Sequence, residues 1–336
     1  MPTSPIISQN KVLNLLIKTV ILGLLLYTLY RQIMTGDHRD ALTEIFWQQF
    51  RRGNQFWIIA AIVLMPVNWL LESRKWQILM QPLAPVSLRE AVRAILAGVT
   101  ISMFTPNRIG EYGGRLLAVD VRHNWPTVLA SLVGSFAQLL VLLGGGVIGA
   151  YFCLQNLLNP EPYLLLSSFL LGGSFVSILS LVYFNVDLII PILRRIPLGK
   201  WSRPVLKQLL ALRHYHRPLL LQALLLAFLR YAVYSGQYYL ILRFFGLNAP
   251  ILAAFSGIAT IFLIQTSIPL PPLMGLLARG EIALFIWSHY SDHSLGILTA
   301  TFLLFIINLS VPALLGAGII VKTNVLKSLG YEKNSS

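Results

Sequence analysis

The sequence predicts an all-α, polytopic integral membrane protein with six full spans and two broken, re-entrant helical hairpins in an inverted repeat. Three observations predict it: the composition, the long apolar runs, and two apolar segments that proline interrupts just before charged motifs. Of the 336 residues, 56% are hydrophobic and 11% are charged, against about 25% charged in an average soluble domain. This composition excludes an ordinary soluble enzyme, a disordered regulator and a nucleic-acid-binding domain.

Six apolar runs have the length of a membrane span, about 20 residues. They are residues 11–30, 56–80, 127–153, 163–185, 219–242 and 294–321. The first is interpreted as an uncleaved span, because Arg31 follows it where a signal peptide would have small residues. In the last four runs the only formal charge is Arg230.

Two further apolar segments, residues 94–104 and 251–268, are interrupted by proline. Pro106 follows the first segment, and Pro269 and Pro271 follow the second. Proline removes a helical donor and clashes with the preceding turn. Broken helices at membrane depth are tolerated only inside protein or beside a watery cavity. Both segments are therefore predicted to form hairpins that return to the side they entered.

The basic residues predict the orientation. The net charge is +14, which on so apolar a chain is typical of the positive-inside bias of membrane proteins. If the N-terminus is cytoplasmic and each hairpin returns, most Lys and Arg residues, including Lys75, fall on the inside. The chain is thus predicted as one domain of the cytoplasmic membrane, residues 1–336, with both termini inside and a basic cytoplasmic loop at 187–217.

The chain also resembles itself. The same spacing separates Trp76 from Pro106 and Tyr239 from Pro269, and a Gly-Glu pair follows each proline. The repeat units, about 56–153 and 219–321, would have opposite orientations, because the spans before the two motifs run in opposite directions. Inverted repeats with broken helices are the architecture of many secondary transporters. Chance similarity between apolar segments is the alternative.

The first charged motif places its ions on one helix face. Arg108, Glu111 and Arg115 follow the break at Pro106 with helical spacing, and Glu111 and Arg115 have the favourable i,i+4 order. Gly110 allows another helix or a ligand to approach closely. Ionisable groups inside a membrane are functional candidates. Arginines at this position could hold a phosphodiester bidentately.

The second motif carries Arg279 and Glu281 after Pro269 and Pro271. Glu111 or Glu281 could carry a proton, or pair with an arginine between binding events. The alternative is a structural Glu-Arg pair that locks each hairpin.

Polar and aromatic residues also lie within the predicted spans. Arg230, Tyr234 and Tyr238 share one face of the 219–242 span and could line a headgroup path; helix packing is the equal alternative. Gln138 and Asn308 are expected to bond between helices. The single cysteine excludes an internal disulfide, and we predict neither a metal site, a cofactor nor a catalytic set.

The segments TPNRIGEYGGR, IPLPPLMGLLARGE and NWLLESRKW together resemble the transmembrane region of lysylphosphatidylglycerol synthases, a flippase-like family, over about residues 11–322. Arg108, Gly110 and Glu111 match its first motif, and Arg279 and Glu281 belong to the second. In two-domain relatives a soluble domain makes the lipid and the membrane region translocates it. The resemblance implies a stand-alone membrane member without the synthase domain. Where the family usually has Glu-Arg-x-x-Asp, this chain has Gly-Ser-Phe-Ala-Gln at 134–138.

The expected function is movement of an anionic or zwitterionic (glyco)lipid between leaflets. Arg108, Arg115 and Arg279 would hold the headgroup phosphate, while Glu111 and Glu281 would gate the site or couple it. Two alternatives remain open. One is a membrane transferase or hydrolase acting on a lipid headgroup, with Glu111 as general base. The other is a non-transporting scaffold for a soluble lipid-modifying enzyme on the basic loop. No nucleic acid is expected as a partner.

Overall fold

The computed structural model describes residues 39–103, 105, 109–188, 208–267 and 272–323, together with isolated positions between 13 and 27. Within these ranges the chain is helical and contains no strand. The main helices are α1 (Arg39–Arg51), α2 (Gln55–Met80), α3 (Leu88–Ser102), α4 (Gly110–Leu117), α5 (Asn124–Leu158), α6 (Pro162–Phe184), α7 (Arg217–Phe244), α8 (Ile251–Ser267), α9 (Pro272–Trp287) and α10 (Ser294–Lys322).

Five described helices, α2, α5, α6, α7 and α10, are long and apolar enough to cross a membrane. They correspond to five of the six predicted spans, so the multi-pass, all-helical character is confirmed. The sixth predicted span, 11–30, and most of the predicted basic loop, 187–217, lie outside the described residues.

Two elements extend beyond the predicted runs. Helix α1 lies between the first two predicted spans, and its Phe46 ring packs 5.4 Å from the ring of Phe244 at the end of α7. Helix α3 begins at Leu88 rather than at residue 94. The reason is a capping box, in which Ser87 and Glu90 satisfy each other's backbone donors. This polar first turn precedes the apolar run.

Helices α3 and α4, called hairpin 1 below, form an antiparallel pair. A Cβ atom built on Gly110 would come within 2.6 Å of the Ile101 carbonyl, and one on Gly114 would collide with the Ala97 carbonyl. The contacts move back along α3 as the chain advances along α4, which defines the antiparallel direction. The Thr105 hydroxyl accepts a 2.7 Å bond from the Gly110 amide at the turn. Glycine thus lets the two backbones touch.

Helices α8 and α9, called hairpin 2, are also antiparallel. Gly257 near the start of α8 faces Trp287 at the end of α9, and a Cβ on this glycine would lie 2.7 Å from the indole. Both hairpins therefore consist of two short helices. Of the predicted breaks, Pro106, Pro269 and Pro271 lie outside the described residues.

The buried apolar side chains form two large clusters at opposite ends of the long helices. One contains Trp76 of α2 and Ile95 of hairpin 1; the other contains Ile58 of α2 with Ile258 and Trp287 of hairpin 2. Each hairpin thus belongs to a different end of the bundle. The polar side chains described below lie alongside the first of these clusters, since Glu72 and Lys75 fall between Trp69 and Trp76 on α2.

The two halves of the chain pack across each other. Helix α2 packs against α7, α5 against α8, and α3 against α10. The Thr100 hydroxyl of α3 donates a 2.8 Å bond to the Ala313 carbonyl of α10. On α5, Gly149 approaches Ala259 of α8 and Gly145 approaches Tyr231 of α7, so small residues serve close packing.

Hairpin 1 yields a prediction from two neighbouring glycines. Gly114→Ala would force α4 away from α3, and overpacking of this kind costs about 1–3 kcal/mol. Gly113→Ala is the matched control, because no atom lies within 4 Å of a Cβ at that position. We expect thermal unfolding in detergent to show a lower melting temperature for Gly114→Ala only. Equal losses in the two variants would contradict the described hairpin contact.

Candidate functional site

A buried carboxylate, Glu72, lies at the centre of the site. Its Oε2 accepts hydrogen bonds from Lys75 Nζ at 2.7 Å and from Arg230 Nη1 at 2.9 Å. Its Oε1 accepts from Arg115 Nη2 at 3.2 Å. The Glu72 side chain is only 7% exposed. Three cations from α2, α4 and α7 therefore converge on one acid.

A second carboxylate joins the same group. Arg115 Nη2 also donates to Glu111 at 3.2 Å, as the predicted i,i+4 pair requires. Glu72, Lys75, Glu111, Arg115 and Arg230 are called the central cluster below. It contains three cations and two carboxylates, so these five side chains carry one excess positive charge. An isolated buried ion is strongly disfavoured, which makes such compensation necessary.

The local folding of each helix explains how these ions meet. Glu72 and Lys75 are three residues apart on α2 and share one face. Hairpin 1 delivers Arg115, and Gly98 leaves room for it: a Cβ on Gly98 would lie 3.1 Å from the Arg115 Cγ. Arg230 comes from the middle of α7. The cluster thus depends on contacts between helices that are distant in the sequence.

Amides from three helices complete the shell around Arg230. Asn68 Oδ1 accepts from Arg230 Nε at 3.2 Å, and Gln138 Oε1 accepts from Arg230 Nη1 at 3.3 Å. Asn68 Nδ2 also donates to Asn308 Oδ1 at 3.0 Å. The guanidinium lies over the Trp69 ring, 5.2 Å from its centroid, in a cation–π contact. The expectation that Gln138 and Asn308 bond between helices is confirmed.

Asn308 lies in a π-helical turn, Ile306–Ser310, in the middle of α10. Single π-turns inside α-helices occur frequently at functional sites. Asn68, Gln138, Arg230 and Asn308 all fall near the middle of long apolar helices. The polar layer is therefore at mid-depth of the bundle.

The cluster has more donors than acceptors. Arg115 Nε is buried and has no hydrogen-bond partner in the described part of the chain. The Nη2 group of Arg230 bonds to no described residue, since the guanidinium uses Nε and Nη1. Exposure rises from 2% for the Lys75 side chain to 15% for Arg230 and 17% for Glu111. The open margin of the cluster thus lies beside Arg230 and Glu111.

The structure brings together three of the predicted site residues, Glu111, Arg115 and Arg230. Gly110 serves the turn of hairpin 1, while Arg108 lies outside the described residues. The Tyr234 ring stacks on Phe262 with centroids 5.0 Å apart, so it contributes helix packing.

The four ion pairs described above include no residue of the second motif. Arg279 and Glu281 are both within α9. Arg279 is half-buried and close enough to Tyr238 for an electrostatic interaction. Glu281 is exposed. The acids that bind the central cations are Glu72 and Glu111.

Sequence reasoning missed Glu72 and Lys75 as site residues. Lys75 was counted only among the basic residues expected on the cytoplasmic side, whereas the structure shows its side chain buried against Glu72. The available signal was an acid and a base at i,i+3 inside one apolar run. Among the described residues no group of three His, Cys, Asp or Glu side chains could hold a metal ion.

The buried Glu72 and the exposed Glu281 give a stability prediction. Glu72→Gln would leave three buried cations undercompensated, and breaking a buried pair costs about 3–5 kcal/mol. Glu72→Gln/Lys75→Met removes one charge of each sign and is expected to recover part of this loss. Glu281→Gln, at an exposed position, should change stability little. Thermal unfolding in detergent measures all three, and a Glu72→Gln variant as stable as the parent would refute the described network.

Comparison with known proteins places these features in a family. The chain matches the family described as the lysylphosphatidylglycerol synthase TM region over residues 15–316. A plasma membrane iron permease of Saccharomyces cerevisiae is 26% identical over 226 residues, which make up 66% of this chain and 52% of the permease. The chain thus spans about half the length of that relative. No solved structure matches it. Because the family match covers most of the chain, the protein belongs to the lysylphosphatidylglycerol synthase transmembrane-region family.

Proposed function

We propose that the protein moves an anionic lipid between the leaflets of the cytoplasmic membrane, and that its central cluster binds the headgroup phosphate. The single observation that carries this proposal is the excess of basic donors at mid-depth, with the buried Arg115 Nε left without an acceptor among the described residues. A soluble protein can leave such donors to water, but a bilayer-embedded bundle has little water to offer.

Phosphate is the ligand chemistry that fits these donors best. Guanidinium groups present planar forks of N–H donors that match two phosphate oxygens. Arg115 and Arg230 come from different halves of the chain and already share one carboxylate, Glu72. A headgroup phosphate at this place would connect the two halves.

The architecture supports transport over simple binding. Hairpin 1 and hairpin 2 lie in apolar clusters at opposite ends of the long helices, while Asn68, Arg230 and Asn308 lie near the middle of theirs. The packing of α5 on α8 and of α3 on α10 is reciprocal between the two halves. Both features support the predicted inverted repeat, in which rocking of the halves exposes a central site alternately to each side.

The iron permease relative suggests a metal cation as a second candidate cargo. The charge of the central cluster disfavours it, because three cations face two carboxylates among its five side chains. A site with excess positive charge repels a metal ion and attracts a phosphate. We therefore propose lipid rather than iron as cargo, moved without covalent change.

Reconstitution into liposomes tests this function. The protein should accelerate transbilayer movement of fluorescently labelled phosphatidylglycerol. Arg230→Gln should slow this movement by about tenfold or more, which corresponds to the free energy of one charge-assisted hydrogen bond. Arg122→Gln is the matched control: Arg122 is exposed in the loop before α5, where its hydrogen bonds lower the pKa of Asp120. Liposomes with and without protein that behave identically, or uptake of iron in place of lipid, would reject the proposal.

A further inference from the structure

We propose that Glu72 is a built-in counter-ion that occupies the phosphate position at rest and is displaced when the headgroup binds. This inference rests on the proposed function and specifies how its site recognises a monoanionic phosphodiester.

The way Glu72 divides its two oxygens is the first argument. Oε1 binds Arg115 at 3.2 Å and Oε2 binds Arg230 at 2.9 Å. The carboxylate thus bridges two arginines that come from different halves of the chain, with one oxygen on each. Two oxygens of a phosphodiester can make the same bridge. A carboxylate that served only to neutralise one arginine would need no such division.

Lys75 makes the displacement possible. It lies on the same helix as Glu72 and binds the same Oε2 at 2.7 Å. When a phosphate takes over Arg115 and Arg230, Glu72 keeps this partner and is not left as an isolated buried ion. Removing every cationic partner of the Glu72 carboxylate would cost too much free energy inside the bundle. Lys75 supplies the one partner that the displaced carboxylate keeps.

The charge balance indicates the class of headgroup. Glu72 carries one negative charge and places one oxygen on Arg115 and the other on Arg230. A phosphodiester likewise carries one negative charge on two unesterified oxygens and can replace the carboxylate without a change of net charge, whereas a dianionic phosphomonoester would add a second negative charge. We therefore infer a preference for phosphodiester lipids such as phosphatidylglycerol over phosphatidic acid.

The open side of the cluster agrees with this exchange. Arg230, with 15% of its side chain exposed, is the most accessible of the three cations that bind Glu72. Its Nη2 group bonds to no described residue, so an arriving phosphate can engage it before Glu72 leaves. The cations would then never be without an anionic partner during the exchange.

The experiment measures binding of dioctanoyl phosphatidylglycerol to the detergent-solubilised full chain, with dioctanoyl phosphatidic acid and uncharged dioctanoylglycerol as comparison probes. Glu72→Gln removes the internal competitor and should tighten phosphatidylglycerol binding by about tenfold or more, as expected for one charge-assisted bond. Because this variant is also expected to be less stable, Glu72→Gln/Lys75→Met is measured beside it; its cluster has the parent's net charge but lacks the competitor. Glu161→Gln, at an exposed N-cap that makes no side-chain cap bond, is the matched control and should bind like the parent.

Tighter binding in both Glu72 variants, with dioctanoylglycerol unaffected, supports the counter-ion. Unchanged or weaker phosphatidylglycerol binding in the folded double variant overturns it, and so does a loss of stability without any change in affinity, since that is what a purely structural role predicts. Parent protein that binds phosphatidic acid more tightly than phosphatidylglycerol overturns the headgroup assignment.

Flipping in liposomes separates this inference from the proposed function. If the parent moves no lipid and the Glu72 variants still bind phosphatidylglycerol more tightly, transport is rejected and the counter-ion stands. If the parent moves lipid and the variants bind no more tightly, the counter-ion is rejected and transport stands.

Discussion

A carboxylate buried inside an apolar bundle is the constraint on which the rest of the structure depends. Glu72 cannot be ionised there without partners, because the desolvation of a lone ion is comparable to the marginal stability of a fold. Its three cations come from α2, α4 and α7. The glycines of hairpin 1 and the central position of Arg230 on α7 can both be understood as ways of bringing those cations to one acid.

The central cluster includes Arg115 and Glu111 of hairpin 1. In the first half of the chain, Trp76 Nε1 donates to the Ser131 hydroxyl at 3.1 Å, and the ion pairs lie alongside. In the second half, the Tyr238 and Thr301 hydroxyls are 2.7 Å apart, and Glu281 of hairpin 2 is exposed. Hydrogen bonds thus join α2 to α5 and α7 to α10, and the ion pairs of the central cluster hold Arg115 of hairpin 1.

Much of this architecture could be predicted from the sequence because it depends on local patterns. Apolar length predicts α2, α5, α6, α7 and α10, and helical spacing predicts the Glu111–Arg115 pair, which the structure shows at 3.2 Å. Arg230 was singled out as the only formal charge in the last four apolar runs, on one helix face with Tyr234 and Tyr238.

The partner itself could not be predicted. Glu72 and Arg230 are far apart in sequence, and only the packing of α2 on α7 brings them together. An acid and a base near the end of an apolar run, such as Glu72 and Lys75, are equally typical of a helix that emerges from the membrane. Glu281 is exposed although its motif mirrors that of Glu111, because spacing does not reveal which face of α9 is covered.

The most direct test of the central claim is a structure of the protein bound to short-chain phosphatidylglycerol in a lipid nanodisc. The account predicts the phosphate between the guanidinium groups of Arg115 and Arg230, with Glu72 withdrawn from both arginines and still paired with Lys75. A phosphate bound elsewhere, with both Glu72–arginine bonds intact, would contradict it.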